Sequence, residues 1–93
     1  MNLTDRISDW ISDTITDEED ILLCDNLQEA FIGLQYDGTD TPRAVYDADK
    51  IISILCRDSQ MTYEEALEFY EFNILGSYVG PGTPIYINRF PEA

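Results

Sequence analysis

Asp5, Asp9, Asp13 and Asp17 recur every four residues near the start of the chain, and Glu18 and Asp20 extend the run. On a helix a four-residue step rises about 6 Å and returns to nearly the same face, so these carboxylates would form a row of charge spaced much like phosphates along a nucleic-acid strand. Like charges at i and i+4 weaken an isolated helix by roughly a few tenths of a kcal/mol per pair. Three such pairs stand here with Arg6 as the neighbouring base, so something other than helix stability favours them. The chemistry of such a row is electrostatic docking. Asp5, Asp9, Asp13, Asp17, Glu18 and Asp20 are therefore expected to meet a basic protein surface, against the plainer reading of a solvated face that aids solubility. The tetrad Asp17-Glu18-Glu19-Asp20 also suits a helix start, where acids complement the positive end of the dipole.

The same carboxylates do little for catalysis. The chain has no histidine, which removes the usual general base and the usual activator of serine or cysteine nucleophiles. Each acid already serves as a cap or on a solvated face, and no enzymatic activity is expected. A calcium loop starting at Asp37 fails at its sixth and twelfth places, held by Pro42 and Ala48 instead of glycine and a bidentate glutamate. Cys24 and Cys56 lack CxxC spacing and histidine co-ligands, and are read as two buried free thiols in apolar helical segments. Gly80-Pro81-Gly82 is a turn, since no Lys or Arg follows directly to hold a phosphate. No metal and no cofactor are expected.

Charge excludes further classes. Nineteen Asp and Glu face five Lys and Arg on 93 residues, a net charge of −14. Direct nucleic-acid binding depends on cationic contacts that release counterions, and an anionic membrane would repel this surface. Residues 1–40 hold eleven acids and one base; residues 41–93 hold eight acids and four bases. The amino-terminal part carries the field. Like-charge proximity on this scale is expected to raise carboxylate pKa values. Aromatic residues supply a second surface, because Tyr63, Phe69, Tyr70 and Phe72 span more than one face of a helix. Tyr63, Phe69 and Phe72 form a secondary interface in this reading, for a partner or for a homodimer.

These residues need elements to position them. Ile7, Trp10, Ile11 and Ile15 trace the apolar stripe of a first helix, with Thr4 as its cap. Thr16 to Glu19 reads as a capping box opening a second helix that buries Leu22, Leu23 and Leu27. Strand formers at 31–36 and 43–46 flank the turn cluster 37–42, which predicts a hairpin near 30–46. Asp47 caps a third helix with core residues Ile51, Ile54 and Leu55, and Tyr46 is placed to staple onto Ile51. A capping box from Thr62 to Glu65 opens a fourth helix, with the stripe Ala66, Leu67, Tyr70, Ile74, and Gly76 ends it. A strand near 84–88 joins the hairpin. The expected fold is α+β, with about four helices and a small antiparallel sheet in one domain, 1–93. Its acidic helical part is 1–29, and 30–93 holds the hairpin, two helices and terminal strand. A 44% apolar and 12% aromatic composition is too hydrophobic for a disordered acidic tail.

Residues 44–87 carry a resemblance. Val45-Tyr46-Asp47-Ala48-Asp49-Lys50-Ile51-Ile52, Met61-Thr62-Tyr63-Glu64-Glu65-Ala66, Phe72-Asn73-Ile74, Gly76-Ser77-Tyr78-Val79-Gly80 and Thr83-Pro84-Ile85 resemble a family of small uncharacterised proteins of tailed bacteriophages, over about half of the chain. The resemblance implies a cytoplasmic protein of an infected bacterium, in keeping with an acidic start, Met1 to Asp9, that has no apolar secretion signal or anchor. By charge and size the chain is also similar to anti-restriction and anti-CRISPR inhibitors, several of which imitate DNA. Two functions are expected: inhibition or sequestration of a host nucleic-acid-binding protein such as a nuclease or polymerase, or a non-enzymatic assembly or regulatory module that works through its aromatic helix face.

Overall fold

The computed structural model describes residues 2–15, 21–36 and 41–91. Asp17, Glu18 and Asp20, the capping box at Thr16 and the hairpin tip at 37–40 lie outside the described residues.

Helix α1 spans Leu3–Thr14. Its cap is Asn2, not Thr4: the Asn2 side chain accepts the Asp5 backbone N–H at 2.8 Å. Thr4 is released for a tertiary role, and its hydroxyl accepts Gln28 Nε2 at 2.9 Å. Ile7, Ile11 and Ile15 turn inward and are buried, while Trp10 sits at the edge of the stripe, 45% exposed. Trp10 meets Phe31 edge to face with ring centres 6.1 Å apart.

The second helix is not present at residues 21–27. Asp25 and Asn26 make a turn there, with Asn26 in the left-handed region at φ 63°. Short Asx side chains tolerate that conformation and compete with helix by local hydrogen bonding. Leu27 is still buried, but Leu22 and Leu23 remain exposed, and Cys24 lies in an irregular segment rather than a helix. Both cysteines are free and half-buried, rather than fully buried. A 3-10 turn, Gln28–Ala30, leads into the sheet.

The hairpin forms as its composition requires. Strand β1, Phe31–Gln35, pairs antiparallel with β2, Arg43–Asp47, with an irregularity between Phe31 and Gly33. Strand β3, Ile85–Ile87, joins the other side of β2, so β2 is central. This pairing is parallel, with Tyr46 opposite Tyr86, and the sheet is mixed rather than antiparallel. The helices between β2 and β3 explain the direction: parallel neighbours need a long crossover. Along β2 the buried positions alternate, Ala44 and Tyr46 facing the core.

Helix α2, Ala48–Asp58, follows β2 without a loop, and its cap is the last strand residue: the Asp47 carboxylate accepts N–H groups from Asp49 and Lys50. It buries Ile51, Ile52, Ile54 and Leu55. Tyr46 and Ile51, the expected staple, share this core and are the largest fully buried side chains. Helix α3, Tyr63–Phe69, opens with the full capping box between Thr62 and Glu65. It runs on into a π-helical turn, Tyr70–Leu75, that Gly76 caps. Alanines 30, 44, 48 and 66 are wholly buried in one core with the isoleucines of α2, so backbones can approach closely without large voids. Three α-helices and a three-stranded sheet therefore make the α+β fold of the described residues.

Candidate docking surfaces

On α1, burial of Ile7 and Ile11 fixes the helix's rotation, and Asp5, Asp9 and Asp13 are all exposed. At 1.5 Å per residue, the three carboxylates span about 12 Å of helix. Several of the chain's cations are engaged elsewhere in the fold. Arg43 Nε donates to the Thr83 carbonyl at 2.6 Å. Arg57 forks between Glu29 and Asp58, with Nη2 to Glu29 at 2.6 Å and Nε to Asp58 at 2.7 Å. Arg89 lies 3.7 Å from an Asp47 oxygen. On α1 itself the one cation is Arg6.

The ionisation of the acids runs against the simplest charge argument. Hydrogen bonds from Arg57 hold the Glu29 and Asp58 carboxyls below their ordinary values. The Glu65 carboxyl is lowered by the Thr62 backbone N–H it accepts. These specific contacts favour charge on the acid, opposite to the upward shift that like-charge crowding alone would give.

A second surface is apolar. A groove of about 520 Å³ opens between residues 22–27, the carboxyl-terminal half of α2 and the π-helical turn. Buried Leu27, Ile54 and Leu55 form its base, and the more exposed Leu22, Leu23 and Phe69 stand at its edges. Among the described residues, its charged lining consists of two acids, Asp25 and Asp58. The π-helical turn contributes Asn73 and Ile74; such widened turns recur at functional sites.

The groove wall is held from behind by tyrosines. The Cys24 backbone N–H donates to the Tyr46 hydroxyl at 2.8 Å, and Cys24 Sγ lies 3.5 Å from the Tyr86 hydroxyl. Tyr46 and Tyr86 stack with ring centres 6.1 Å apart, and Tyr70 meets Tyr86 edge to face at 5.9 Å. Burial pushes the ionisation of all three phenols above the ordinary value, so they are neutral partners at pH 7.

The three aromatics expected to share one interface are divided. Phe69 borders the groove, whereas Tyr63 borders a separate hollow with Asp49, Ile52, Ser53, Cys56 and Arg57. Phe72 projects from the π-helical turn at 77% exposure. Sequence reasoning missed Leu22, Leu23 and Asn73 as surface residues, and the Asp25-Asn26 pair, two turn formers in succession, was the signal in the sequence that the chain turns there. Among the described residues, no helix is long and apolar enough to cross a membrane. In comparison with known proteins, the chain matches no family model, no curated protein and no solved structure.

Proposed function

We propose that this chain is a non-enzymatic interaction protein that inhibits or sequesters a nucleic-acid-binding protein of a host bacterium, with α1 occupying the basic groove where a phosphate backbone would lie. The observation that carries the reading is the orientation of α1: Ile7 and Ile11 are spent on the core, and Asp5, Asp9 and Asp13 face solvent. Resemblance to tailed-bacteriophage proteins supplies the setting, a bacterial cytoplasm, and charge and size supply the analogy to anti-restriction and anti-CRISPR inhibitors. The target is basic protein, not nucleic acid and not membrane.

The test is competition. A lysate fraction retained on heparin and eluted by salt is passed over the immobilised chain at two ionic strengths, with and without duplex DNA. Retained proteins should be displaced by DNA and lost at high salt, because charge complementarity sets association rate and salt dependence. The triple variant D5N/D9N/D13N keeps the helix's shape and should lose this binding. Retention that neither DNA, salt nor the triple variant alters would remove the reading.

A second reading, a self-assembling or regulatory module, is favoured by one observation: Phe72 and Tyr78 are each 77% exposed. A homodimer of this chain brings together two charges of −14, so salt should strengthen it. Sedimentation at micromolar concentration in low and high salt separates the two readings by the sign of that response.

A further inference from the structure

We infer that the groove between residues 22–27, α2 and the π-helical turn is a docking site for an apolar side chain carried on a cationic segment of the partner. This deepens the basic-partner reading, on which it rests for the sign of the partner's charge. The pocket's shape and chemistry supply the rest. Leu27, Ile54 and Leu55 offer a buried apolar base, and Phe69 stands at the edge, an arrangement that accepts one bulky aliphatic or aromatic anchor. Among the described residues, the charged groups around that base are Asp25 and Asp58. Arg57 offsets part of this charge, since it lies between Glu29 and Asp58, yet the group of three keeps a net negative charge beside Asp25. A second copy of the chain would bring like charge to this rim, so a cationic occupant is favoured over self-association.

The groove also lies next to the acidic helix through one shared residue. Leu23 borders the groove on one side and a hollow against Ser8 and Ile11 of α1 on the other. Leu23 thus stands between the groove and α1, and in this reading one partner spans both the carboxylate row and the groove. The row would steer the encounter, and the anchor in the groove would lengthen the residence of the complex.

The test uses synthetic peptides on the full chain: a Leu/Lys helix with leucines on one face, a Ser/Lys peptide of equal charge, and a Leu/Gln peptide of equal apolarity. Two groove-filling substitutions, N73W on the π-helical turn and S59F at the end of α2, change exposed positions and leave the core intact. The Leu/Lys peptide should bind about tenfold more tightly than either control. It should also slow alkylation of Cys24, which lines the groove, while leaving Cys56 unaffected. Each groove-filling variant should remove the Leu-over-Ser advantage and leave Ser/Lys binding unchanged. Equal affinity for Leu/Lys and Ser/Lys peptides, or an advantage that survives both variants, overturns the groove. A Leu/Gln peptide as tight as Leu/Lys overturns the cationic occupant, and so does salt-driven self-association that N73W abolishes. D5N/D9N/D13N keeps the two readings apart: loss of Ser/Lys binding with no Leu advantage supports the acidic helix alone, and unchanged Ser/Lys binding with the advantage intact supports the groove alone.

Discussion

The hydroxyl of Tyr46, 1% exposed at the centre of the sheet, accepts the backbone N–H of Cys24 at 2.8 Å. A strand residue thereby anchors a segment that has no regular structure of its own. Y46F removes the acceptor and leaves the part-buried Cys24 N–H without its partner, which costs less than the about 1–3 kcal/mol of a fully buried group. Urea unfolding should register that loss, and Cys24 should alkylate faster while Cys56 does not change. An unaltered Cys24 rate would show that the wall stands without this bond.

Alkaline pH should unfold the chain through its tyrosines. Tyr46, Tyr70 and Tyr86 have phenols shifted upward by burial, so the fold favours their neutral form. The stability they contribute is complete below the unfolded value near 10 and is lost as pH rises towards their folded values. Circular dichroism should hold to about pH 10 and then fall together with a late rise in tyrosinate absorbance. The Y46F/Y86F double variant, compared with its own stability at pH 8, should lose less on going to high pH.

Acid acts in the opposite sense. Glu29, Asp58 and Glu65 are lowered, so their stabilisation is present above the unfolded carboxyl range, about pH 4, and fades as pH falls through their folded values. All three are solvent-exposed, and each effect is small. Salt at pH 7 is a separate matter, since about 0.5 M shortens screening to a few Å and relieves the self-repulsion of a −14 chain. The melting midpoint should rise with salt at pH 7, and the small stabilisation from these three carboxyls, read as the difference between the wild-type chain and E29Q/D58N/E65Q, should vanish between pH 5 and pH 3. A midpoint that drops with salt would show that ion pairs such as the Arg57 fork outweigh the repulsion.

One substitution should stabilise. Gln60 follows the end of α2 with φ 56°, the left-handed conformation that glycine adopts without a Cβ penalty. Q60G should raise stability by up to about 1 kcal/mol, less the added freedom of glycine in the unfolded chain. Q60V should do the reverse, because a β-branched side chain is the least suited to that region. Thermal melts of the pair against the wild-type chain decide the matter.

What was legible in the sequence was local. Asp47 and the Thr62–Glu65 box cap their helices as written, because a cap is decided within four residues and needs nothing from the rest of the fold. The hairpin was legible for the same reason. The helix expected through Leu22, Leu23 and Leu27 failed at Asp25-Asn26, where turn chemistry overrode apolar spacing. The parallel direction of β3, the Tyr46 to Cys24 bond and the groove depend on residues far apart in sequence, and no local pattern encodes them. Of the candidate site, Asp5, Asp9 and Asp13 could be placed on one helix face from their spacing. That Tyr63 and Phe69 would border two different hollows could not, because it depends on how α2 packs beside α3.

The parallel pairing of β3 with β2 also shapes the kinetics of folding. Phe31–Gln35 meets Arg43–Asp47 across a short loop, whereas Ile85 pairs with Val45 across the whole of α2, α3 and the π-helical turn. Loop closure of that length is slow, and the distant strand supplies Tyr86, whose ring stacks on Tyr46 and meets Tyr70 edge to face. Without β3, one side of β2 is an open edge with its aromatic partner missing. A chain in which this long-range pairing is broken would expose an edge strand beside an apolar surface, the kind of state that aggregates.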